Sequence, residues 1–419
     1  MLSSWQRVTL LAATVVASSV VVAASPAPGA KNFFLIAVDD LRPMFGESFA
    51  YPEVLTPNMD AHFTNGGGSA MQHSYVQVAV CGPSRASILT GRRPDTTTVG
   101  VVANGPLSWC WCQRTKCQED ALFMTLPTYF AENGFVTSGT GKIFHPDGCT
   151  KMRGPFRSFG KDFAHTVGDD YRAWNDGAYG EEGRLQKPFD GFIDQFSEEQ
   201  FGTIPGPNMA TFNHTWGPSW MRSPLSDEEQ TDGQLATDTI ERLAKFSTAG
   251  IGKGDGKPFF LATGFHKPHT PWIVPEKYFD LYDIDKISLP PNPRVPAGFK
   301  EENWHANGNM EIEKYFSAWP NPDGSGSKPF DPSAFSFNKP VDNQTARELR
   351  LAYFAATSFV DAQIGRVMDA LGEYGYMNNT VVALWSGEEK RSKSRPREGR
   401  EEGKKEGREE ERRCAVLLK

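Results

Sequence analysis

Cys81-Gly82-Pro83-Ser84-Arg85-Ala86-Ser87-Ile88-Leu89-Thr90-Gly91 is the stretch on which the reading of this chain turns. Pro83 suits the first turn of a helix, where its missing N–H costs nothing. Cys81 is therefore expected just ahead of a helix N-terminus, where unpaired N–H groups and the dipole favour an anion. Arg85, about one turn on, is expected to aim its fork of donors at the same spot, a shape suited to a tetrahedral oxyanion. Gly91 closes the short helix as its C-cap. Taken alone, the same residues also read as a buried structural cysteine before a short helix.

Working outward, Phe33 to Val38 is a continuous apolar run, typical of a strand buried on both faces, and Asp39-Asp40 follow at its carboxyl end. Phe135 to Gly139 is a second expected strand, ahead of Lys142 and His145. Phe259 to Phe265 is a third, ending at His266, and Thr380 to Trp385 a fourth. Between them Thr345 to Gly375 carries Leu349, Tyr353, Ala356, Val360, Ile364, Val367 and Leu371 near a 3.6 period, the pattern of a long amphipathic helix. Strands alternating with helices predict an α/β fold with a mostly parallel central sheet flanked by helices, ligands gathering at the strand carboxyl ends. Adjacent carboxylates after a buried strand repel unless something offsets them. A divalent cation does so, and a turn capped by an Asp side chain is the alternative. Gly141-Lys142-Ile143-Phe144-His145-Pro146 sets an ammonium and an imidazole three residues apart, able to share one face of a helical turn or one ligand in a tight loop.

These segments resemble the type I sulfatases, which carry Cys-x-Pro-Ser-Arg followed by Leu-Thr-Gly-Arg, as Cys81 to Arg92 do here. Val38-Asp39-Asp40-Leu41-Arg42-Pro43, Leu89 to Thr97, Gly141-Lys142-x-x-His145-Pro146 and His266-Lys267-Pro268-His269 are similar to the iduronate-2-sulfatase branch. The likeness covers about residues 31 to 386. It implies an alkaline-phosphatase-like sulfatase fold and a sulfuric ester hydrolase acting on a sulfated sugar. It also implies that a formylglycine-generating enzyme oxidises Cys81 to Cα-formylglycine, whose hydrate is the nucleophile. One divalent cation, Ca2+ before Mg2+, would be held by Asp39, Asp40 and the residue-81 oxygen. Arg85 and Lys142 would steady charge on the sulfuryl oxygens, His145 would take the nucleophile's proton, and His266 would protonate the leaving alcohol. His269 and Lys267 are weaker candidates. A phosphoryl hydrolase of the same superfamily is the related alternative, but those generally use Ser or Thr where Cys81 stands.

Bulk properties agree. The 419-residue chain has a net charge of −7, modest for its size and unlike a nucleic-acid binder. Residues 1–24 read as a signal peptide: Arg7 is basic, Val8 to Ala24 apolar, and Ala23, Ala24 and Ser25 offer a cleavage site. No stable membrane insertion is expected, although an uncleaved anchor is the alternative for that run. Cys110, Cys112, Cys117 and Cys149 suit an oxidising compartment and permit three pairings. With sequons at Asn213, Asn343 and Asn378, they point to the secretory pathway, lysosomal or vacuolar, or extracellular.

The departure comes after Ser386. There the family pattern calls for Asp-His-Gly to complete the metal site, and this chain reads Gly387-Glu388-Glu389-Lys390. From Glu388 to Arg413, 20 of 26 residues are charged, a composition that buries no core. Residues 31–386 are thus expected to be an incomplete catalytic domain, lacking the family's smaller C-terminal domain. Residues 387–419 are expected to be a disordered charged tail, either acquired by an inactive relative or translated from a retained intron or shifted frame. The purine-rich codon bias implied by its Arg, Glu, Lys and Gly favours the second origin. The functional alternative is a catalytically inactive sulfatase-like protein that at most binds sulfated glycans, and weak metal binding and little turnover are expected of the chain as it stands.

Overall fold

The computed structural model describes residues 25–27, 29–78, 80–97, 124–144, 220–270, 272–294, 297, 318–320, 327–329, 339–387 and 416–419. The expected signal peptide, the four cysteines between 110 and 149, His145, Asn213 and the charged run from 388 lie outside them. The strands are β1 (Asn32–Val38), β2 (Ser69–Ala70), β3 (Val136–Gly141), β4 (Trp220–Ser223), β5 (Phe259–Phe265), β6 (Trp272–Pro275), β7 (Ala318–Pro320), β8 (Ser327–Pro329), β9 (Thr380–Trp385) and β10 (Val416–Leu418). The four longer helices are α1 (Cys81–Thr90), α2 (Leu126–Glu132), α3 (Thr231–Thr248) and α4 (Asn343–Glu373).

Six strands form one sheet in the order β2-β10-β9-β1-β5-β3. Four consecutive strands, β9, β1, β5 and the edge strand β3, run parallel, and β10 is antiparallel to both neighbours. All seven residues of β5 are buried, and β1 is buried at all but Phe33, so the apolar runs are continuous and not alternating. Successive side chains still point to opposite faces. Phe34, Ile36 and Val38 enter a large core shared with α3 and α4, including Leu235, Leu243, Phe359, Val360 and Ile364. Leu35 turns to the other face, where Leu89, Ile143, Phe144 and Phe260 close a smaller cluster with Leu126 and Phe130 packed against it. The result is helices on both sides of a mostly parallel sheet, as expected.

Local chemistry fixes the helix ends. The N-cap Asp342 accepts from the Thr345 backbone N–H at 2.9 Å and starts the 31-residue α4. Deeper along α4, buried Asp361 accepts from the backbone N–H groups of Asn58 at 3.1 Å and Met59 at 2.8 Å, which fastens the segment after β1 to that helix.

The register of the sheet positions the site. Val38 pairs with Phe265, and Gly141 with Gly264, so β1, β3 and β5 deliver Asp39, Lys142 and His266 at one level beyond their carboxyl ends. The strands meet closely there: a Cβ on Gly264 would lie 2.2 Å from the carbonyl carbon and oxygen of Lys142. Only glycine lets those two backbones pass.

One expectation needs correction. The segment 387–419 is not wholly outside the fold, because Val416-Leu417-Leu418 form β10 on the edge of β9, with Leu417 fully buried. The reason is local composition. Ala415 to Leu418 is apolar, unlike the charged run before it, and it covers a strand edge that would otherwise expose a row of unpaired N–H and C=O groups.

Two stability measurements check this packing. Leu417→Ala is expected to cost about 2–4 kcal/mol in denaturant unfolding, while Leu418→Ala, only half-buried, costs under about 1 kcal/mol; equal small losses would detach β10 from the fold. Gly264→Ala is expected to cost about 3 kcal/mol or more, since backbone atoms must move.

Candidate active site

Asp39 is the centre of the site. It is 1% exposed, and each carboxylate oxygen meets a different cation: Arg85 Nη2 at 2.9 Å on Oδ1, and the Lys142 ammonium on Oδ2. Burial alone would raise its pKa; Lys142 and Arg85 outweigh that and hold the carboxyl well below its usual range. Burial likewise pulls the Lys142 ammonium down, and Asp39 outweighs it, so that pKa is raised. Both partners are therefore charged.

Arg85 differs from its expected pose. Its fork is taken up by Asp39 and by the carbonyls of Lys142 and Ile143, the latter at 3.0 Å, in a position 1% exposed. Its guanidinium also sits 5.8 Å from the Trp385 ring centroid at the end of β9. Arg85 thus ties α1 to β1, β3 and β9.

Cys81 is the first residue of α1 and not the residue before it; Val80, extended, is the N-cap. The Ser84 N–H bonds to the Val80 carbonyl at 3.1 Å, and Gly91 ends the helix at φ 64°, the left-handed C-cap expected. Burial, with Asp39 and Asp40 adding to it, pushes the thiol pKa up to about 12 against the opposing pull of Lys142 and Arg85. The helix end and two cations do not produce a thiolate here. An unmodified Cys81 is protonated at neutral pH and a poor nucleophile.

Asp40 adopts the left-handed conformation at φ 57°, uncommon for a residue with a Cβ. The Tyr353 hydroxyl, from α4, holds that turn from both sides, donating to the Asp40 carbonyl at 2.8 Å and accepting from the Arg42 N–H at 2.9 Å. Trp272 packs edge-on against Tyr353 and donates to the Pro268 carbonyl at 2.5 Å, so the turn after β1 and the loop after β5 share one brace. On that loop His269 Nε2 lies 3.8 Å from Asp40 Oδ2, which brings this weaker candidate to the site's rim.

His266 follows β5 directly and is 6% exposed. Burial, then Lys142, drives its pKa well below the imidazole norm, so the ring is neutral at neutral pH. Lys267 beside it is buried too, and burial lowers its pKa to about 8 despite Asp232. The backbone N–H groups of His266 and Lys267 donate to the two oxygens of Asp232, each at 2.8 Å. Sequence reasoning passed over Asp232 and assigned Tyr353 only to a helix face. An acidic residue opening an amphipathic helix is the one local signal Asp232 gives, and it speaks of a helix N-terminus and not of a partner 34 positions away.

The cation expectation fits these residues in kind and not in number. Asp39 and Asp40 are hard oxygen donors at one strand end, but a calcium ion takes six to eight oxygens. Among the described residues no group of three or more His, Cys, Asp and Glu side chains is placed to hold a metal ion. Both oxygens of Asp39 are also engaged by cations already.

The expected residues Asp39, Asp40, Cys81, Arg85, Lys142 and His266 thus converge at the carboxyl end of the parallel sheet. The chain is 32% identical over 359 residues to human iduronate 2-sulfatase, covering 85% of this chain and 54% of that one. It is 30% identical over 362 residues to a sulfatase of Formosa agariphila, covering 85% and 58%. The chain therefore spans about half the length of the relatives it matches. A phosphonate monoester hydrolase from Silicibacter pomeroyi shares the fold at TM-score 0.57 and 18% identity, covering 93% of this chain and 68% of that structure. The sulfatase family model matches residues 31–411, nearly the whole chain, and the chain belongs to the sulfatase family.

Proposed function

We propose that this chain is a sulfuric ester hydrolase of the iduronate-2-sulfatase type, acting on a sulfated sugar through a formylglycine made from Cys81. The observation that carries the reading is the buried Arg85–Asp39–Lys142 cluster, whose two cations act electrostatically on residue 81 and sit where a sulfate ester would meet it. The buried, protonated thiol of Cys81 is a poor nucleophile as encoded. A sulfated thiol also has no second hydroxyl with which to expel sulfate.

In this reading one hydroxyl of the hydrated aldehyde attacks sulfur in line with the ester oxygen, forming one S–O bond as the other breaks. Lys142 and Arg85 hold charge on the sulfuryl oxygens. His266 supplies the leaving alcohol with a proton, and the negative charge of a sulfate ester favours the imidazolium that burial disfavours. His145 then takes the proton of the second hydroxyl as sulfate leaves and the aldehyde re-forms. Asp39, Asp40 and the residue-81 oxygen would be among the ligands of the divalent cation that the family implies, calcium before magnesium, and such an ion would supply Lewis acidity. A secretory-pathway location, lysosomal or extracellular, and maturation by a formylglycine-generating enzyme belong to the same proposal. The human and mouse relatives are iduronate 2-sulfatases, and the uronate of this chain's substrate is inferred from them.

A second reading, an inactive protein that binds sulfated glycans, draws on the two-carboxylate donor set. Coexpression with a formylglycine-generating enzyme separates the two. Turnover of an aryl sulfate or a 2-O-sulfated uronate disaccharide is expected, slow beside that of a complete donor set, with the residue-81 peptide showing loss of sulfur by mass spectrometry. Cys81→Ser is expected to abolish turnover and leave thermal unfolding unchanged; sulfate release surviving in that variant rejects the formylglycine, and glycan binding without any turnover in the parent chain favours the second reading. Lys142→Ala is expected to lower kcat/KM about 100-fold or more and to destabilise the fold by about 3–5 kcal/mol, because Asp39 loses a buried partner.

A further inference from the structure

Asp232 has no part in the chemistry above, yet its geometry is more specific than a helix start requires. It is the second residue of α3, 1% exposed, and both carboxylate oxygens are committed to consecutive amides of another element. Those amides belong to His266 and Lys267, the first two residues beyond β5. The backbone just before them is held on two further sides. The Phe265 carbonyl accepts from the Asp39 N–H at 3.2 Å, and the Gly264 carbonyl accepts from the Lys142 N–H at 2.8 Å. His266 therefore leaves the sheet with its backbone fixed by β1, β3 and α3 together. The start of α3 packs closely on the turn before it, where a Cβ on Gly233 would lie 1.7 Å from the Asp227 carbonyl oxygen.

A carboxylate is the only short side chain with two acceptor oxygens for two parallel N–H groups. Asparagine would turn an NH2 toward one of them. The N-terminal end of α3 also favours the negative charge. Burial pushes the carboxyl to about 6, which leaves it ionised at neutral pH.

We propose that Asp232 is a positioning residue of the site, clamping the backbone of residues 266–267 so that the His266 imidazole is held in one orientation beside the Asp39–Lys142 pair. The proposal rests on the hydrolase reading for its effect on turnover, and on geometry alone for its effect on His266.

The test uses the full chain coexpressed with a formylglycine-generating enzyme, carrying Asp232→Asn or Asp232→Glu. Glutamate keeps the charge and the helix-end interaction and only displaces the clamp, so it remains informative should the asparagine variant fold poorly. In each folded variant kcat for an aryl sulfate is expected to fall about 10–100-fold, the scale of a misplacement near 1 Å, with KM changed less than about 3-fold. Thermal unfolding of Asp232→Glu should stay within about 5 °C of the parent. The His266 ring resonance, identified by its loss in His266→Gln, should be single in the parent and shifted or split in the variants. A folded variant with parental kcat, or with an unchanged His266 resonance, overturns the proposal. If the parent releases no sulfate, the hydrolase reading fails on its own, and the resonance still decides for or against the clamp.

Discussion

A buried carboxylate shared by two cations is the constraint around which this molecule is arranged. Asp39 meets Arg85 from α1 and Lys142 from the end of β3 where almost no water reaches. Removing charges from water costs several kcal/mol per ion, and only tight geometry repays it. Each group is therefore costly to lose, since its departure strands a charge. This explains the rigidity around it. Gly264 lets β5 press against the Lys142 backbone, Arg85 spends spare donors on the carbonyls of Lys142 and Ile143, and Tyr353 pins the left-handed turn at Asp40. The cluster is a structural keystone and an anion-facing charge at once.

The fold was legible wherever a run was long and periodic. The sequence-predicted strands 259–265 and 380–385 coincide with β5 and β9; β5 is buried at every residue and writes itself as an unbroken apolar run, and β9 keeps such a run although Val381 is exposed. The expected helix Thr345 to Gly375 matches α4, Asn343–Glu373, to within two residues at each end, and Gly91 is the left-handed cap of α1. β10 escaped because three residues after a charged run carry no period, and only the open edge of β9 gives them a place.

The site was legible in its members more than in their pairings. Asp39, Lys142 and His266 could be chosen because each follows a strand, and parallel register then brings them level. The direction in which Arg85 points could not be chosen. A guanidinium serves a carboxylate, a carbonyl or a sulfate equally well in sequence, and here the carboxylate and two carbonyls take it. Asp232 and Tyr353 were less accessible still. Each acts by bonds from a side chain to a distant backbone, an interaction that depends on tertiary approach and leaves no local pattern.

The electrostatics also sharpen the meaning of the cysteine. A helix N-terminus with nearby Lys and Arg is the ordinary recipe for a reactive thiolate. Here burial and the two aspartates win, and the thiol stays protonated. The two aspartates offset Lys142 and Arg85 around residue 81, so the encoded sulfur gains no thiolate character from its place at the helix start. A hydrated aldehyde at residue 81 needs no thiolate, and it carries the second hydroxyl that sulfate expulsion requires. The cysteine's low reactivity and the chemistry inferred for its oxidised form follow from one arrangement of charges.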